Sequence, residues 1–166
     1  TYKIYSALFA LESNVITSNN NEQVWDRKIH PIPEWNQNQN LVTALSHSVN
    51  WYFQNTDREV GRKKLQEYFH KIEYGNEDLS GNLDSYWMES SLKISPIEQV
   101  QLLYQLDENR WGFKAENIKS VKKAILIDVQ KNGRLYGKTG TGMVNGKNVN
   151  GWFIGFVEKS DNRFYF

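Results

Sequence analysis

Arg134-Leu135-Tyr136-Gly137-Lys138-Thr139-Gly140-Thr141-Gly142 decides the reading of this chain. The stretch has the short, aromatic and hydroxyl-rich character of a β-strand, and its glycines let a backbone pass close to a neighbouring group. Lys138 and the hydroxyls of Thr139 and Thr141 could hold an anion there. A glycine-bearing strand end with a solvated lysine is the plainer reading of the same letters. It is not a phosphate loop, because no G-x-x-x-x-G-K-[ST] pattern leads into a helix. Further strand-like segments follow at Trp152 to Glu158 and from Arg163 onward. Asn145-Gly146 and Ser160-Asp161-Asn162 supply hairpin turns between them.

Upstream the periodicity changes. Ile4, Ala7, Leu8 and Leu11 fall at i, i+3, i+4 and i+7, the stripe of a core-facing helix. Asn14 to Asn40 is polar and reads as an irregular connection pinned by Trp25 and Trp35. Helical spacing returns at Leu41, Ala44, Leu45, Ser48, Val49 and Tyr52, which places Ser48-Val49-Asn50 on a second helix. A third is expected through Val60, Leu65, Tyr68, Phe69 and Ile72. Gly75, Asn76, Gly81 and Asn82 mark a turn-rich segment from Tyr74 to Asp84. Ser95-Pro96-Ile97-Glu98 is a helix start, with a capping serine, proline in the first turn and glutamate closing a capping box. Ala124 to Val129 is a short apolar run. Helices first and antiparallel strands last define an α+β domain, a helical region packed against a sheet.

Composition narrows the function. With 166 residues and 39% hydrophobic content, the chain can build one domain with a sizeable core. Twenty Lys and Arg against nineteen Asp and Glu leave no basic excess, so nucleic acid is not an expected partner. Absence of cysteine removes disulfides and thiolate metal sites, and His30, His47 and His70 lack the spacing of a helical zinc pair. No metal is expected. No apolar run approaches the ~20 residues that a membrane helix requires. Thr1 opens inside an amphipathic pattern and Phe164-Tyr165-Phe166 closes inside a strand-like run, so both ends read as cuts through secondary structure.

Isolated residues carry weak signals. Ser48 lies on an apolar stripe, where a hydroxyl needs a partner. Lys3, beside Ile4, could snorkel to solvent, or, if desolvated, lose its proton and act as a base. A turn and a buried indole account for Tyr74-Gly75-Asn76 and Trp87. Taken in order, however, Thr1-Tyr2-Lys3, Ser48-Val49-Asn50, Tyr74-Gly75-Asn76, Trp87 and Lys138-Thr139-Gly140 resemble the motifs of class D β-lactamases and their relatives. Ser85-Tyr86-Trp87-Met88, Leu92-Lys93-Ile94-Ser95-Pro96 and Gly151-Trp152-Phe153-Ile154-Gly155 extend that resemblance over the whole chain. It implies a β-lactamase/transpeptidase-like fold and a first motif S-x-x-K, in which Lys3 is the lysine and the serine immediately precedes Thr1.

Class D hydrolases usually carry an apolar residue where this chain has Asn50. With Thr1-Tyr2-Lys3-Ile4-Tyr5-Ser6-Ala7 and the Tyr136–Gly142 stretch, the chain most resembles the BlaR/MecR-type receptors, membrane proteins that detect β-lactams and induce resistance. The resemblance implies residues 1–166 of a single penicillin-recognising sensor domain on the extracellular face of the bacterial membrane. Its partners would be β-lactam antibiotics and the membrane part of the receptor. It implies acylation without efficient turnover, with a class D β-lactamase or a penicillin-binding transpeptidase as the alternative. Lys3 would take the serine proton, directly or as a carbon dioxide adduct. Ser48 would bridge Lys3 and the lactam nitrogen. Lys138 and Thr139 of the Lys138-Thr139-Gly140 motif would hold the ligand carboxylate, and the Thr141 N–H would serve the oxyanion hole. Asn50 would bond the antibiotic's side-chain amide and could accept a hydrogen bond from Lys3, while Trp87 would steady a carboxylated lysine.

Overall fold

The computed structural model describes residues 1–166, and the α+β expectation holds: six α-helices precede a four-stranded antiparallel sheet. The helices are α1 (Lys3–Glu12), α2 (Leu41–Ser46), α3 (Asn50–Val60), α4 (Arg62–Ile72), α5 (Pro96–Asp107) and α6 (Ala115–Ala124). The strands are β1 (Leu126–Gln130), β2 (Gly133–Val144), β3 (Lys147–Glu158) and β4 (Arg163–Tyr165), and they lie in the sheet in chain order.

Helix α1 is the axis of the core. The expected single stripe understates it: every residue from Ile4 to Leu11 is buried, as befits a helix that is apolar nearly all round. Phe9 stacks on Tyr68 of α4 at 4.8 Å between centroids, and α3 and α6 pack along the same helix. The capping box at the start of α5 is present, with Ser95 accepting from the Glu98 N–H and Glu98 accepting from the Ser95 N–H. On the sheet face turned toward the helices, Tyr136 stacks on Phe156 at 4.4 Å. Alternation along β2 then puts Lys138, two residues on, on that same inner face.

Four expectations need correction. The helix expected from Leu41 to Tyr52 is two helices, and Ser48 lies in the break rather than on either. Helix α2 ends in a Schellman arrangement. Ser48 takes a left-handed φ of 54°, its N–H bonds the Leu45 carbonyl, and the Val49 N–H bonds the Ala44 carbonyl. Likewise Val60 closes α3, and Gly61 at φ 81° separates it from Leu65 on α4. Helix α6 was not anticipated, because its buried stripe of Ile118, Val121 and Ala124 is brief and interleaved with lysines. Ala124 therefore ends a helix, and only Leu126 onward forms β1, an exposed edge strand. The β2–β3 hairpin is also longer than expected. Its ladder runs to Val144↔Lys147, and Asn145 and Gly146 turn it with φ of 49° and 74°, the conformation of a type I′ turn.

Candidate functional site

The start of α1, the α2–α3 break, the turn bearing Trp87 and the middle of β2 converge on one cleft of about 410 Å³. Lys3, Ser48, Asn50, Trp87, Lys138, Thr139, Gly140 and Thr141, all singled out from the sequence, line it together. Residues 138 positions apart in the chain thus share one wall because β2 runs against the first turn of α1. Contact there is close enough that a Cβ at Gly140 would come within 2.8 Å of the Thr1 nitrogen, which explains the glycine.

Three lysines line the cleft; Lys93 is exposed, while Lys3 and Lys138 are desolvated and neither has a carboxylate partner. Lys3 is brought down to about 7, first by burial and then by the nearby charge of Lys138. Burial alone brings Lys138 down to about 8. The Lys138 ammonium donates to the Ser48 hydroxyl and to the Thr139 carbonyl at 3.0 Å, with the Thr139 hydroxyl at 3.5 Å. The structure therefore joins Ser48 to Lys138, and no hydrogen bond ties Ser48 to Lys3. A serine held in a left-handed conformation, ordinarily taken by glycine, stores backbone strain of about 1 kcal/mol or more. That strain sits where the hydroxyl meets Lys138.

Asn50 opens α3 beside the cleft, and its side-chain amide donates to the Met88 sulfur at 3.3 Å. It makes no bond to Lys3. Trp87 packs against Tyr2 at 5.3 Å, and its indole N–H is buried without an acceptor. An orphaned buried donor on the wall of a cleft is suited to a ligand or adduct oxygen. Together with the depressed lysine, it fits the carbon dioxide adduct that the class D resemblance implies on Lys3, since only a neutral amine reacts with carbon dioxide.

Other features of the site escaped the sequence reading. Gln99 of α5 is fully buried and donates to the Thr1 hydroxyl at 2.9 Å and to the Tyr74 hydroxyl at 3.1 Å, fixing the entry into α1. Across the mouth of the cleft, Asn150 donates to Glu89 at 3.0 Å and accepts from the Gly142 N–H at 3.1 Å. This clasp ties the Trp87 turn to the β2–β3 hairpin. No local pattern announces it, because its partners lie 61 residues apart. The Tyr74-Gly75-Asn76 turn acts at one remove. Asn76 donates to the Ser91 carbonyl at 2.9 Å and accepts from the Lys93 N–H at 2.8 Å, pinning the segment after Trp87.

The chain belongs to the penicillin binding protein transpeptidase domain family, which matches residues 1–166. Within that family it is homologous to the penicillin-receptor sensor domains of BlaR1 and mecR1 proteins. It is 50% identical, over 100% of its length, to "Regulatory protein BlaR1" of Bacillus licheniformis, of which it covers 28%. Among solved structures it is similar to the C-terminal domain of the Bacillus licheniformis BlaR penicillin-receptor, with a TM-score of 0.95, 46% identity, and coverage of 99% of this chain and 67% of that one. It is also similar to the class D β-lactamase BAT-2, with a TM-score of 0.94, 33% identity, and coverage of 99% and 69%. The chain thus spans less than a third of the curated receptors it matches. No helix in it is long and apolar enough to cross a membrane.

Proposed function

We propose that this chain is the β-lactam-sensing domain of a membrane signal transducer on the extracellular face of the bacterial membrane, acylated by the antibiotic and slow to release it. One observation carries the reading: two desolvated lysines without carboxylate partners in one cleft. One of the two, Lys138, is tied to a strained serine. A β-lactam brings an anionic carboxylate and a strained amide, and these lysines meet the two needs separately. Lys138, with Thr139, binds the carboxylate through charge-assisted hydrogen bonds. Lys3, neutral near physiological pH, takes the proton of the S-x-x-K serine one residue before Thr1. The Thr141 N–H stabilises the oxyanion, while Gly140 lets the strand approach that serine. Ser48, already bonded to Lys138, passes a proton toward the lactam nitrogen. Asn50 exchanges its weak bond to the Met88 sulfur for the ligand's side-chain amide.

A second reading, class D hydrolysis, is favoured by the orphaned Trp87 N–H. That donor would hold a carboxylated Lys3, and the adduct would supply a base for water attack. Nitrocefin turnover by the receptor domain carrying Ser-Thr1-Tyr2-Lys3 separates the two. The sensor reading expects one equivalent of acylation and then a halt. Sustained turnover supports the hydrolase.

A further inference from the structure

Beneath the cleft lies a carboxylate that the acylation chemistry leaves unused. Asp57 of α3 is 0% exposed, and no lysine, arginine or histidine bonds to it. Three hydroxyls surround it. Ser6 of α1 donates to Oδ1 at 2.6 Å, while Tyr2 at 3.0 Å and Tyr86 at 2.8 Å both lie on Oδ2. The Tyr2 and Tyr86 hydroxyls are also bonded to each other. Oδ2 and the two phenol oxygens therefore form a triangle with three hydrogen-bonded edges.

Counting hydrogens decides the state of this triangle. An ionised Asp57 brings none, so two phenol hydrogens must serve three edges, and one edge is left as two facing lone pairs. A protonated Asp57 brings one more. Its O–H then donates to Tyr2, the Tyr2 O–H donates to Tyr86, and the Tyr86 O–H returns to Oδ2, one hydrogen on each edge. Burial points the same way, since a buried carboxylate without a cation favours its neutral form. The remaining charged neighbour, Asp84, is ion-paired with Arg58 and adds a weaker push in that direction.

We propose that Asp57 is a neutral carboxylic acid that closes a ring of hydrogen bonds with Tyr2 and Tyr86, and that this ring is the positioning element of the cleft. Tyr2 immediately precedes Lys3, and Tyr86 immediately precedes Trp87. The Tyr2 ring also packs on Trp87 at 5.3 Å, and Tyr86 meets Trp87 edge-on at 5.0 Å. The ring thus fixes from below both the base and the indole that line the site. Its existence is independent of the acylation reading; its positioning role rests on that reading.

Asp57→Asn and Asp57→Ala distinguish the states, because asparagine keeps two hydrogens where the acid keeps one. Its amide can donate to both phenol oxygens while its carbonyl still accepts from Ser6. Four hydrogens then serve three edges and one phenol O–H is left over, so Asp57→Asn keeps every edge bonded and lies between the parent and Asp57→Ala in melting temperature and acylation rate constant. Asp57→Ala leaves the hydroxyls unpartnered and slows acylation about tenfold or more. Tyr86→Phe, which keeps the ring packing, slows it by a smaller factor while ligand capture before acylation stays unchanged. Stability against pH gives an independent readout. The folded-state value of about 7 lies above the ordinary 3.8, so the folded state holds its proton longer and wild-type stability falls relative to Asp57→Asn as pH rises through that window. Should wild type instead gain on Asp57→Asn over that window, Asp57 is ionised and the neutral ring is wrong. Should Asp57→Ala and Tyr86→Phe acylate as fast as the parent while both stability curves behave as expected, the ring exists but does not position the site. If no variant or parent forms an adduct, the pH curves still decide the ring, and the positioning claim falls with the acylation reading.

Discussion

The first turn of α1 and the β2–β3 hairpin both line the cleft and are held by opposite means. On the α1 side Tyr2 and every residue from Ile4 to Leu11 are buried, with Thr1 and Lys3 half-buried at the cleft. Gln99 grips Thr1, the Asp57 ring grips Tyr2, and the helix that follows is enclosed from Ile4 to Leu11. On the hairpin side Lys138 is buried, but Met143, Val144 and Val149 beyond it are exposed, and the Glu89–Asn150 clasp ties that region to the opposite rim. The groups that do chemistry need fixed geometry, because a misplaced base loses its advantage steeply. A wall that admits and captures a ligand gains from yielding.

Breaking the fixed side should have the largest effect. Lys3→Ala removes the base, and its acylation rate constant should fall about 10³-fold, measured by stopped-flow with a chromogenic β-lactam. The same side has a pH signature. Lys3 is neutral mainly above about 7, so the acylation rate should rise about 50-fold from pH 5 to pH 7 and level off above about pH 8. The sign for stability also follows. Unfolded, the lysine keeps its proton up to its ordinary value of 10.5, so between about 7 and 10.5 the unfolded state binds more protons and stability from this group rises with pH. Chemical denaturation of wild type and Lys3→Met at pH 7 and pH 9 should show the wild type gaining.

The hairpin side should respond less. Lys138→Ala should weaken capture and slow acylation roughly 10- to 100-fold through lost charge-assisted bonds, with the melting temperature nearly unchanged. The smallest effect belongs to the clasp. Its exposed hydrogen bonds contribute about 1 kcal/mol or less, so Asn150→Ala should change ligand capture by about fivefold at most. It should increase proteolysis of the hairpin between Gly142 and Asn150 while leaving the acylation step untouched. A loss in Asn150→Ala as large as in Lys3→Ala would erase the contrast between the two sides.

This contrast also sets how much could be read in advance. The Lys138-Thr139-Gly140 strand, the Asn145-Gly146 turn and the Ser95–Glu98 cap carry local chemistry, and all appear where the letters place them. Ser48 kept its place in the cleft but lost its helix. A serine in the left-handed position of a helix terminus looks, in sequence, like one more turn of the helix. Asn50 lines the cleft but bonds Met88, because side-chain direction at a helix start depends on what packs opposite. The Asp57 ring, Gln99 and the Glu89–Asn150 clasp left no trace at all. Each joins residues far apart in the chain, and single buried polar letters acquire meaning only when the fold supplies their partners.

The central claim, a cleft built to be acylated and to stay acylated, is tested most directly by intact-mass spectrometry of the domain carrying Ser-Thr1-Tyr2-Lys3 after mixing with benzylpenicillin. The account predicts a single added mass equal to one intact penicillin, complete at one equivalent and persisting after free antibiotic is removed. Return to the unmodified mass within about a minute, accompanied by hydrolysed penicillin, would contradict the sensor reading and make the domain a β-lactamase.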